Sequence, residues 1–509
     1  MTRQKKKLKS TGPTVSKEFR SEGPPANTGT LWYQKAAWPF VIVLCVVMFF
    51  MLDYGSDYQR REKALTFDES VYIRLGFQVK NGEPYNTQKL YEEKKRARVL
   101  PEYLNRPVFK HPPLFPWLVS LSYTLLEQKS SYEYEELYAA AARVSNLMGC
   151  LLVLLGFMFT KKFFGYPAGL LAAFLLAVDL NLTLSSQKVW IESTLAFFMF
   201  SALYLCYKAC EEHKAYFYPA GIIFGVAMLT KYTAVLVIPI VLTYVLIYHR
   251  TVFKQKELYL FFLLAGLVFL PWAVHNMKVY GAEAFQMMVI KQTAGPEKMA
   301  MFACMGLAAL AGLGGVLVFK KFYALKQQAA SAERADSNRW AMLGVAVVGV
   351  FIAYMFLQKN FLGSILKTLH WSELPTAGWD MKLFKQEPWY FYLKQQIEYS
   401  PVYLFLFVAF LRAPFGQKQD VFLFLACFWI LLFTTVWGNF QGRYVLSFVT
   451  PAVILISATI VLIFKYLSKQ KNAAGMIGLG AACLVMAYFV LKALKVYSAI
   501  ALHDNVAYF

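Results

Sequence analysis

The stretch "TFDESVYIRLG", residues 66–76, places two carboxylates, Asp68 and Glu69, side by side shortly after the apolar run 36–52. Thr66 followed by Glu69 fits the capping-box pattern of a helix N-terminus, and acidic residues favour the first turn of a helix. The pair therefore predicts a capped helix just outside a membrane span. Ionisable groups at such a position also indicate a functional site, and the pair by itself does not separate the two interpretations.

The composition is that of a membrane protein with many helical spans. Of the 509 residues, 58% are hydrophobic and 16% are charged, and the mean hydropathy is +0.43. Apolar runs long enough to cross a bilayer as helices recur between residues 36 and 493. The alternating strand pattern of a membrane β-barrel is not seen, so the sequence predicts an all-α polytopic membrane protein.

The hydropathy rule predicts about thirteen transmembrane helices. They lie near residues 36–52, 138–160, 166–182, 192–210, 216–230, 232–248, 258–278, 301–319, 340–358, 401–413, 419–437, 444–465 and 473–493. The apolar stretch 113–126, "PLFPWLVSLSYTLL", is too short to span and predicts an interfacial helix.

The distribution of lysine and arginine predicts the orientation of the spans. With the basic N-terminus inside and one crossing for each span, every inside loop contains lysine or arginine; these loops are 161–165, 207–214, 249–256, 320–339, 412–420 and 465–472. The outside then receives two long loops, 53–137 and 359–400, and long outer loops are usually functional. Prolines break the first outer loop, which predicts amphipathic helices along the membrane surface.

The domain organisation follows from these runs. We predict that residues 1–35 form a basic, disordered cytoplasmic tail before an uncleaved first span. The transmembrane domain is expected at residues 36–493, and a short outer tail at residues 494–509. The net charge of +22 lies mostly in short loops, which favours orientation and contact with membrane lipids over nucleic-acid binding. The seven cysteines show no metal-site spacing with histidine and are interpreted as buried apolar residues.

Ionisable and aromatic residues collect at the predicted outer ends of the spans. Besides Asp68 and Glu69, this face receives Lys110, His111, Arg143, Glu192, Lys231, His275, Arg443 and Tyr444. Each has an ordinary explanation by itself: Lys231 could snorkel to the interface, Arg443 could anchor a span boundary, and Glu192 could be a helix N-terminal charge. Two acidic positions with a group of cations on one face favour an active site.

The order of the motifs carries a family resemblance. The motifs are Asp68-Glu69, "HPPL" at 111–114, Arg143, Glu192, "GVAMLTK" ending at Lys231, and Arg443-Tyr444 with Pro451. This order resembles the GT-C fold glycosyltransferases that use polyprenyl-phosphate sugars, in particular glycosyltransferase family 39, the dolichyl-phosphate-mannose protein O-mannosyltransferases, with the lipid A aminoarabinose transferase as a bacterial relative. The sequence departs from the family pattern at Ser186-Gln187, at Glu192 in place of aspartate, and at "HPPLFP".

The resemblance implies a membrane glycosyltransferase of the cell envelope. It implies transfer from a polyprenyl-phosphate sugar to a protein, lipid or glycan acceptor on the extracytoplasmic face of the cell inner or plasma membrane, as in protein glycosylation. Lys231 and Arg443 are expected to bind the donor phosphate, supported by His111 and Arg143. Further substrate contacts are expected from Lys110, Glu192, His275 and Tyr444.

The implied mechanism makes Asp68 the base for the acceptor hydroxyl, with Glu69 holding the acceptor or the loop, and inverts the anomeric carbon. If the acceptor is itself a phosphate, no base is needed and Asp68 positions other groups. A divalent metal ion bound by Glu69, Glu192 and His275 stays open. One alternative is a transporter or flippase of a lipid-linked sugar, which predicts charged residues in mid-span and broken helices. Another is a catalytically silent binding or scaffold protein, in which replacement of Asp68 changes only local stability.

Overall fold

The fold is helical, as predicted. The computed structural model describes residues 32–62, 65–86, 111–126, 134–281, 390–413, 416–437 and 441–469, and a few helical positions between 480 and 495. Among these residues no β-strand occurs. The α-helices are α1 (Trp32–Glu62), α2 (Phe67–Asn81), α3 (Leu114–Leu125), α4 (Tyr134–Phe164), α5 (Tyr166–Ala177), α6 (Leu180–Gln187), α7 (Glu192–Glu211), α8 (Phe217–Thr230), α9 (Val237–Tyr248), α10 (Lys256–Tyr280), α11 (Phe391–Tyr399), α12 (Phe405–Arg412), α13 (Lys418–Trp437) and α14 (Leu446–Lys469). Short 3₁₀ helices cover Lys214–Tyr216, Tyr232–Leu236, Arg250–Lys254, Pro401–Leu404 and Gly442–Val445.

Several of these helices can cross a membrane. In the described part of the chain, 6 helices are long and apolar enough, namely α1, α4, α7, α10, α13 and α14, and the number is 7 if the bent pair α5 and α6 counts as one span. The count of about thirteen spans stays a prediction. Residues 301–319 and 340–358 lie outside the described residues, and 473–493 lies largely outside them.

Helix α1 is longer than its apolar run 36–52. It begins inside the predicted N-terminal tail and continues into the predicted first outer loop. Hydropathy detects only the part of a helix that contacts lipid, whereas the polar extension is stabilised by packing. Ser56 in this extension is buried and donates a hydrogen bond of 2.7 Å to the carbonyl oxygen of Gln187.

The run 166–182, predicted as one span, is broken into α5 and α6 with a bend of 51°. Asp179 stands between the two helices and caps α6, because its Oδ1 accepts a hydrogen bond of 2.9 Å from the backbone N–H of Leu182. Its Oδ2 accepts a hydrogen bond of 2.7 Å from Tyr403. Every residue of α6 is buried, so this polar turn lies inside the protein.

The described helices of the first outer loop pack against α4. Helix α2 is buried from Glu69 to Gln78, so it packs into the protein, and its position along the membrane surface stays a prediction. Helix α3 has two apolar faces. One face, with Phe115, Val119 and Tyr123, is fully buried, and the other is exposed at Trp117, Leu121 and Leu125.

Two glycines set the position of α8, which ends just before Lys231. A Cβ atom added to Gly221 would lie 2.5 Å from the carbonyl oxygen of Phe261 on α10. A Cβ atom added to Gly225 would lie 2.7 Å from the Cβ atom of Val268 on the same helix. Small residues at this spacing let two helices approach closely in a membrane, so α8 and the lysine that follows it are held against α10.

Candidate active site

Four charged side chains from distant parts of the sequence meet at one end of the bundle. Asp68 lies in the first turn of α2, Glu192 begins α7, Lys231 follows α8, and Arg443 lies in the 3₁₀ helix before α14. Arg443 donates to Asp68 Oδ2 at 2.5 Å, and Lys231 Nζ donates to Glu192 Oε1 at 3.0 Å. Arg443 Nε lies 4.0 Å from the same Glu192 oxygen. These four side chains, hereafter the charged network, are therefore continuous.

The charged network is shielded from water on one side. The side chains of Glu192 and Arg443 are 5% and 8% exposed, whereas those of Lys231 and Asp68 are 24% and 26% exposed. Glu192 Oε2 is buried and has no hydrogen-bond partner among the described residues. A buried carboxylate oxygen without a donor is unfavourable, so this oxygen is suited to accept a hydrogen bond from a bound ligand.

Two aromatic rings hold the cations of the network. The Arg443 Cζ atom lies 4.5 Å from the ring centre of Trp190 and 5.2 Å from that of Tyr444. Lys231 Nζ lies 4.4 Å from the Tyr444 ring centre. Such cation–π contacts stabilise a cation without neutralising its charge. Trp190 also donates its indole N–H to Thr66 Oγ1 at 3.2 Å, which links the cations to the start of α2.

The predicted capping box is present at the start of α2. Thr66 Oγ1 accepts a hydrogen bond from the Glu69 backbone at 3.4 Å, and Glu69 Oε2 accepts from the Thr66 backbone at 2.8 Å and hydroxyl at 2.7 Å. Glu69 Oε1 accepts from the Tyr138 hydroxyl at 2.9 Å. Both oxygens of Glu69 therefore hold the helix start, whereas Asp68 joins the network. The capping interpretation is confirmed for Glu69, and the functional interpretation of Asp68 stays a prediction.

His111 reaches the network through Tyr72. Its Nδ1 lies 3.2 Å from the Tyr72 hydroxyl, and its backbone carbonyl accepts a hydrogen bond of 3.0 Å from Tyr85. Burial raises the pKa of Tyr72 well above its ordinary value, and the negative charges of Asp68 and Glu192 raise it further. The phenol therefore stays protonated and can donate a hydrogen bond.

Two of the predicted site residues in the described ranges make their contacts elsewhere. Arg143 forms a salt bridge of 3.0 Å with Asp53 on α1, because its side of α4 faces α1, and its support of the donor phosphate stays a prediction. His275 is exposed on α10 and stacks on Trp272 with ring centres 5.7 Å apart. Lys110 lies outside the described residues.

The expected metal ligands do not converge. Within the described ranges, no group of three or more His, Cys, Asp and Glu side chains could hold a metal ion. Glu69 is held by the capping box, His275 stacks on Trp272, and Glu192 pairs with Lys231. The combination of Glu69, Glu192 and His275 is therefore wrong as a metal site, because each of its members faces a different neighbour.

Sequence reasoning missed Trp190 and Tyr72. Trp190 occurs in "QKVWIEST", where a tryptophan is typical of a membrane interface, and Tyr72 occurs in "ESVYIRLG" as one more apolar helix position. The positions of these two residues relative to Glu192 and Asp68 were the signal that could have identified them. Trp190 lies two residues before Glu192, and Tyr72 lies one helical turn after Asp68, where side chains share a helix face.

Part of the chain matches a known family. Residues 110–275 match the family model described as dolichyl-phosphate-mannose-protein mannosyltransferase. Of the candidate residues, this segment contains Lys110, His111, Arg143, Glu192, Lys231 and His275. A comparison with curated proteins finds no match.

Solved structures share the fold at low sequence identity. The oligosaccharyltransferase of Archaeoglobus fulgidus in its apo form has a TM-score of 0.56 and 16% identity, over 92% of this chain and 56% of that chain. The complex of AglB from that organism with an inhibitory peptide and a dolichol-phosphate has a TM-score of 0.51 and 14% identity, over 94% and 57%. ArnT from Cupriavidus metallidurans bound to undecaprenyl phosphate has a TM-score of 0.49 and 14% identity, over 91% and 72%.

This chain spans 56% of the length of the first of these structures. The spans and the comparisons together identify an integral membrane protein. The resemblance seen in the motifs is borne out over residues 110–275, which match the dolichyl-phosphate-mannose-protein mannosyltransferase family model, and the chain shares the GT-C membrane fold.

Proposed function

We propose that this chain is a membrane glycosyltransferase that moves a sugar from a polyprenyl-phosphate donor to an acceptor hydroxyl on the extracytoplasmic side. One observation carries the proposal. Lys231 Nζ and Arg443 Nε approach a single oxygen atom, Glu192 Oε1, at 3.0 Å and 4.0 Å. Two cations this close to one carboxylate oxygen can both bind a phosphate, Lys231 through Nζ and Arg443 through the outer nitrogens of its guanidinium, since Arg443 Nε donates to Gln441.

The cations stabilise the leaving group. As the bond between the anomeric carbon and the phosphate oxygen breaks, the electron pair stays with the phosphate, and its negative charge grows. Fixed cations stabilise this charge more in the transition state than in the ground state. Trp190 and Tyr444 keep the two cations in position, and the low exposure of Arg443 strengthens its interaction with the phosphate.

Asp68 accepts the proton of the acceptor hydroxyl. Its side chain is 26% exposed, against 5% for Glu192, so an acceptor can reach it. Glu69 is not available for this role, because both of its oxygens hold the start of α2. The acceptor oxygen bonds to the anomeric carbon, its proton passes to Asp68, and the phosphate leaves from the opposite face, which inverts the anomeric carbon.

The donor and acceptor classes rest on the similar proteins. The matched family is named for dolichyl-phosphate-mannose, and one AglB structure is a complex with a dolichol-phosphate. We therefore assign a polyprenyl phosphate as the carrier of the sugar. The acceptor is a protein, lipid or glycan hydroxyl, with His111, Tyr444 and Glu192 as the side chains that contact the substrates.

The test is sugar transfer by the purified protein in lipid. Radiolabelled polyprenyl-phosphate sugars are supplied with a membrane extract as acceptor, and wild type is compared with Asp68→Asn. Loss of a general base lowers the rate by about 10²- to 10⁴-fold, while donor binding is retained. Asp53→Asn is the matched control, because Asp53 is also a partly exposed carboxylate in an arginine salt bridge.

Two results contradict the proposal at different levels. Wild-type rates in Asp68→Asn remove the assignment of the base and leave the transferase. Absence of transfer by wild type from every donor that it binds removes the transferase itself.

The second candidate function is transport of a lipid-linked sugar. The observation that favours it is the break between α5 and α6 with Asp179 inside the protein, because broken helices with polar residues are typical of transporters. A flippase moves the donor between leaflets without breaking its glycosidic bond. Liposomes with a fluorescent lipid-linked sugar distinguish the two, since only a flippase changes the fraction of probe in the outer leaflet.

A further inference from the structure

We propose that the ion pair between Asp68 and Arg443 is a resting contact that the donor phosphate replaces, so that donor binding releases the base. This inference rests on the proposed function and concerns the order of events at the same site. It predicts that the donor engages before the acceptor is deprotonated. It also predicts that Asp68 competes with the donor phosphate for the same cation.

Both cations of the charged network are engaged by the protein's own carboxylates. Arg443 donates to Asp68 at 2.5 Å, and Lys231 donates to Glu192 at 3.0 Å. Arg443 Nε donates to the side chain of Gln441 at 2.9 Å, so its contact with Asp68 comes from the outer part of the guanidinium. A phosphate that binds Arg443 through these outer nitrogens competes with Asp68, which already occupies the position beside them.

The same contact weakens Asp68 as a base. An arginine beside a carboxylate favours its charged form, and the carboxylate becomes a poorer proton acceptor. An Asp68 that stays on Arg443 is thus badly suited to deprotonate an acceptor hydroxyl. When the donor phosphate binds the guanidinium of Arg443, Asp68 loses this partner. Asp68 therefore becomes a better proton acceptor once the donor is bound.

The surroundings allow this exchange without a change of fold. Glu69 and Thr66 lock the start of α2 through the capping box, and Tyr138 holds Glu69 from α4. Trp190 holds the guanidinium of Arg443 from one face and is 1% exposed. The start of α2 and the guanidinium of Arg443 are therefore both held, and a change in the side-chain rotamer of Asp68 opens the pair.

The inference is tested by binding of a sugar-free lipid phosphate, which needs no catalysis. The full chain in lipid nanodiscs is titrated with dolichyl phosphate, and separately with undecaprenyl phosphate, at constant ionic strength. The proteins are wild type, Asp68→Asn and Asp53→Asn. Asp53 pairs with Arg143 at 3.0 Å and has a side-chain exposure of 30%, close to the 26% of Asp68, so it controls for the loss of one carboxylate charge.

Asp68→Asn is expected to bind lipid phosphate about tenfold more tightly than wild type, since a competing state populated about 90% of the time lowers apparent affinity by that factor. Asp53→Asn is expected to bind as wild type does. A second variant, Asp68→Ser, is expected to repeat the gain. Thermal unfolding of each variant establishes that the folded protein is being compared.

Three outcomes overturn the inference. Equal or weaker binding by both Asp68 variants shows that Asp68 does not compete with the phosphate. An equal gain in Asp53→Asn assigns the effect to net charge. Absence of lipid-phosphate binding in wild type and in every variant overturns the proposed function as well, which separates its failure from the failure of this inference alone.

Discussion

Helix α7 carries a glutamate at each end, and the two ends differ in how completely these glutamates are bonded. At the C-terminal end, Glu211 accepts hydrogen bonds from Tyr244 at 2.6 Å and from Lys418 at 2.9 Å, and it contacts His249 at 2.5 Å. Both of its oxygens are occupied. At the N-terminal end, Glu192 has one oxygen in a salt bridge and the other buried without a partner among the described residues. The Glu211 end is complete without a ligand, and the Glu192 end is not.

The arginines near the two ends show the same contrast. Arg412 pairs with Asp420 at 2.5 Å and donates to Thr459 at 3.2 Å, so it ties α12 to α13 and α14. Arg443 instead stacks on Trp190 and reaches Asp68. Ion pairs at helix ends are therefore not by themselves a sign of function in this molecule. Cations lie over aromatic rings at both ends, since Lys208 Nζ is 3.8 Å from the ring centre of Tyr216, so the incomplete hydrogen bonding of Glu192 is what distinguishes the candidate active site.

The largest difference between the two ends is expected for their lysines. Lys231→Gln removes a ligand of the proposed phosphate, and kcat/KM for the donor is expected to fall by about 10²- to 10³-fold. Lys418→Gln removes a lysine that is 44% exposed, and an exposed ion pair contributes at most about 1 kcal/mol, so its transfer rate stays that of wild type. Initial rates against donor concentration measure both. Similar transfer rates in Lys231→Gln and Lys418→Gln would contradict the expected difference between the two ends of α7.

A smaller effect is expected for the aromatic support of Arg443. Trp190→Leu removes the ring beneath the guanidinium, and the donor KM is expected to rise about tenfold, which corresponds to about 1.4 kcal/mol and lies within the range of a partly desolvated cation–π contact. Trp190→Phe keeps a ring, and its donor KM is expected to lie between those of wild type and Trp190→Leu. This order of donor KM values would show that an aromatic ring at position 190 supports Arg443. A donor KM that is unchanged in Trp190→Leu removes the supporting role.

The cap of α2 is expected to contribute mainly to stability. Thr66→Val breaks the capping box and the hydrogen bond from Trp190, and the free energy of unfolding is expected to fall by about 1 kcal/mol. Thr66→Ser keeps the hydroxyl and serves as the control. Denaturation of both variants in detergent measures the difference. A loss of stability in Thr66→Ser as large as that in Thr66→Val would argue against the hydroxyl as the cause.

The smallest effect is expected for the ionisation of Tyr72. Because burial raises its pKa well above the ordinary value of 10.0, the phenol is neutral in the folded protein throughout the physiological range and ionises only in strong alkali. The alkaline limb of the pH–rate profile is therefore expected to be the same in wild type and Tyr72→Phe. Rates between neutral pH and mild alkali test this. A limb that disappears in the variant would show that Tyr72 titrates.

The sequence predicted that the charged residues of the candidate site gather at one end of the spans, and physical rules explain why. Lysine and arginine bias assigned the outer ends, and Asp68, Glu192, Lys231 and Arg443 all come from ends that meet in the structure. The capping box at Thr66 was also predictable, because it depends only on residues of one helical turn.

Long-range partners were not predictable from a single sequence. The pairing of Arg143 with Asp53 depends on how α4 rotates against α1, which no local pattern records. The break at Asp179 was missed because hydropathy averages over a window and hides one polar residue. Trp190 was missed for the opposite reason, since a tryptophan at a span end is expected whether or not it supports a cation.

We expect the Glu192 end of α7 to contribute to sugar transfer and the Glu211 end to contribute to the stability of the fold. The direct test measures sugar transfer and thermal unfolding together for Glu192→Gln and Glu211→Gln in the same lipid preparation. We expect Glu192→Gln to lose most of its transfer while it stays folded, and Glu211→Gln to keep its transfer per folded molecule while its unfolding midpoint falls. Full transfer by Glu192→Gln, or loss of transfer by a stably folded Glu211→Gln, would contradict the claim.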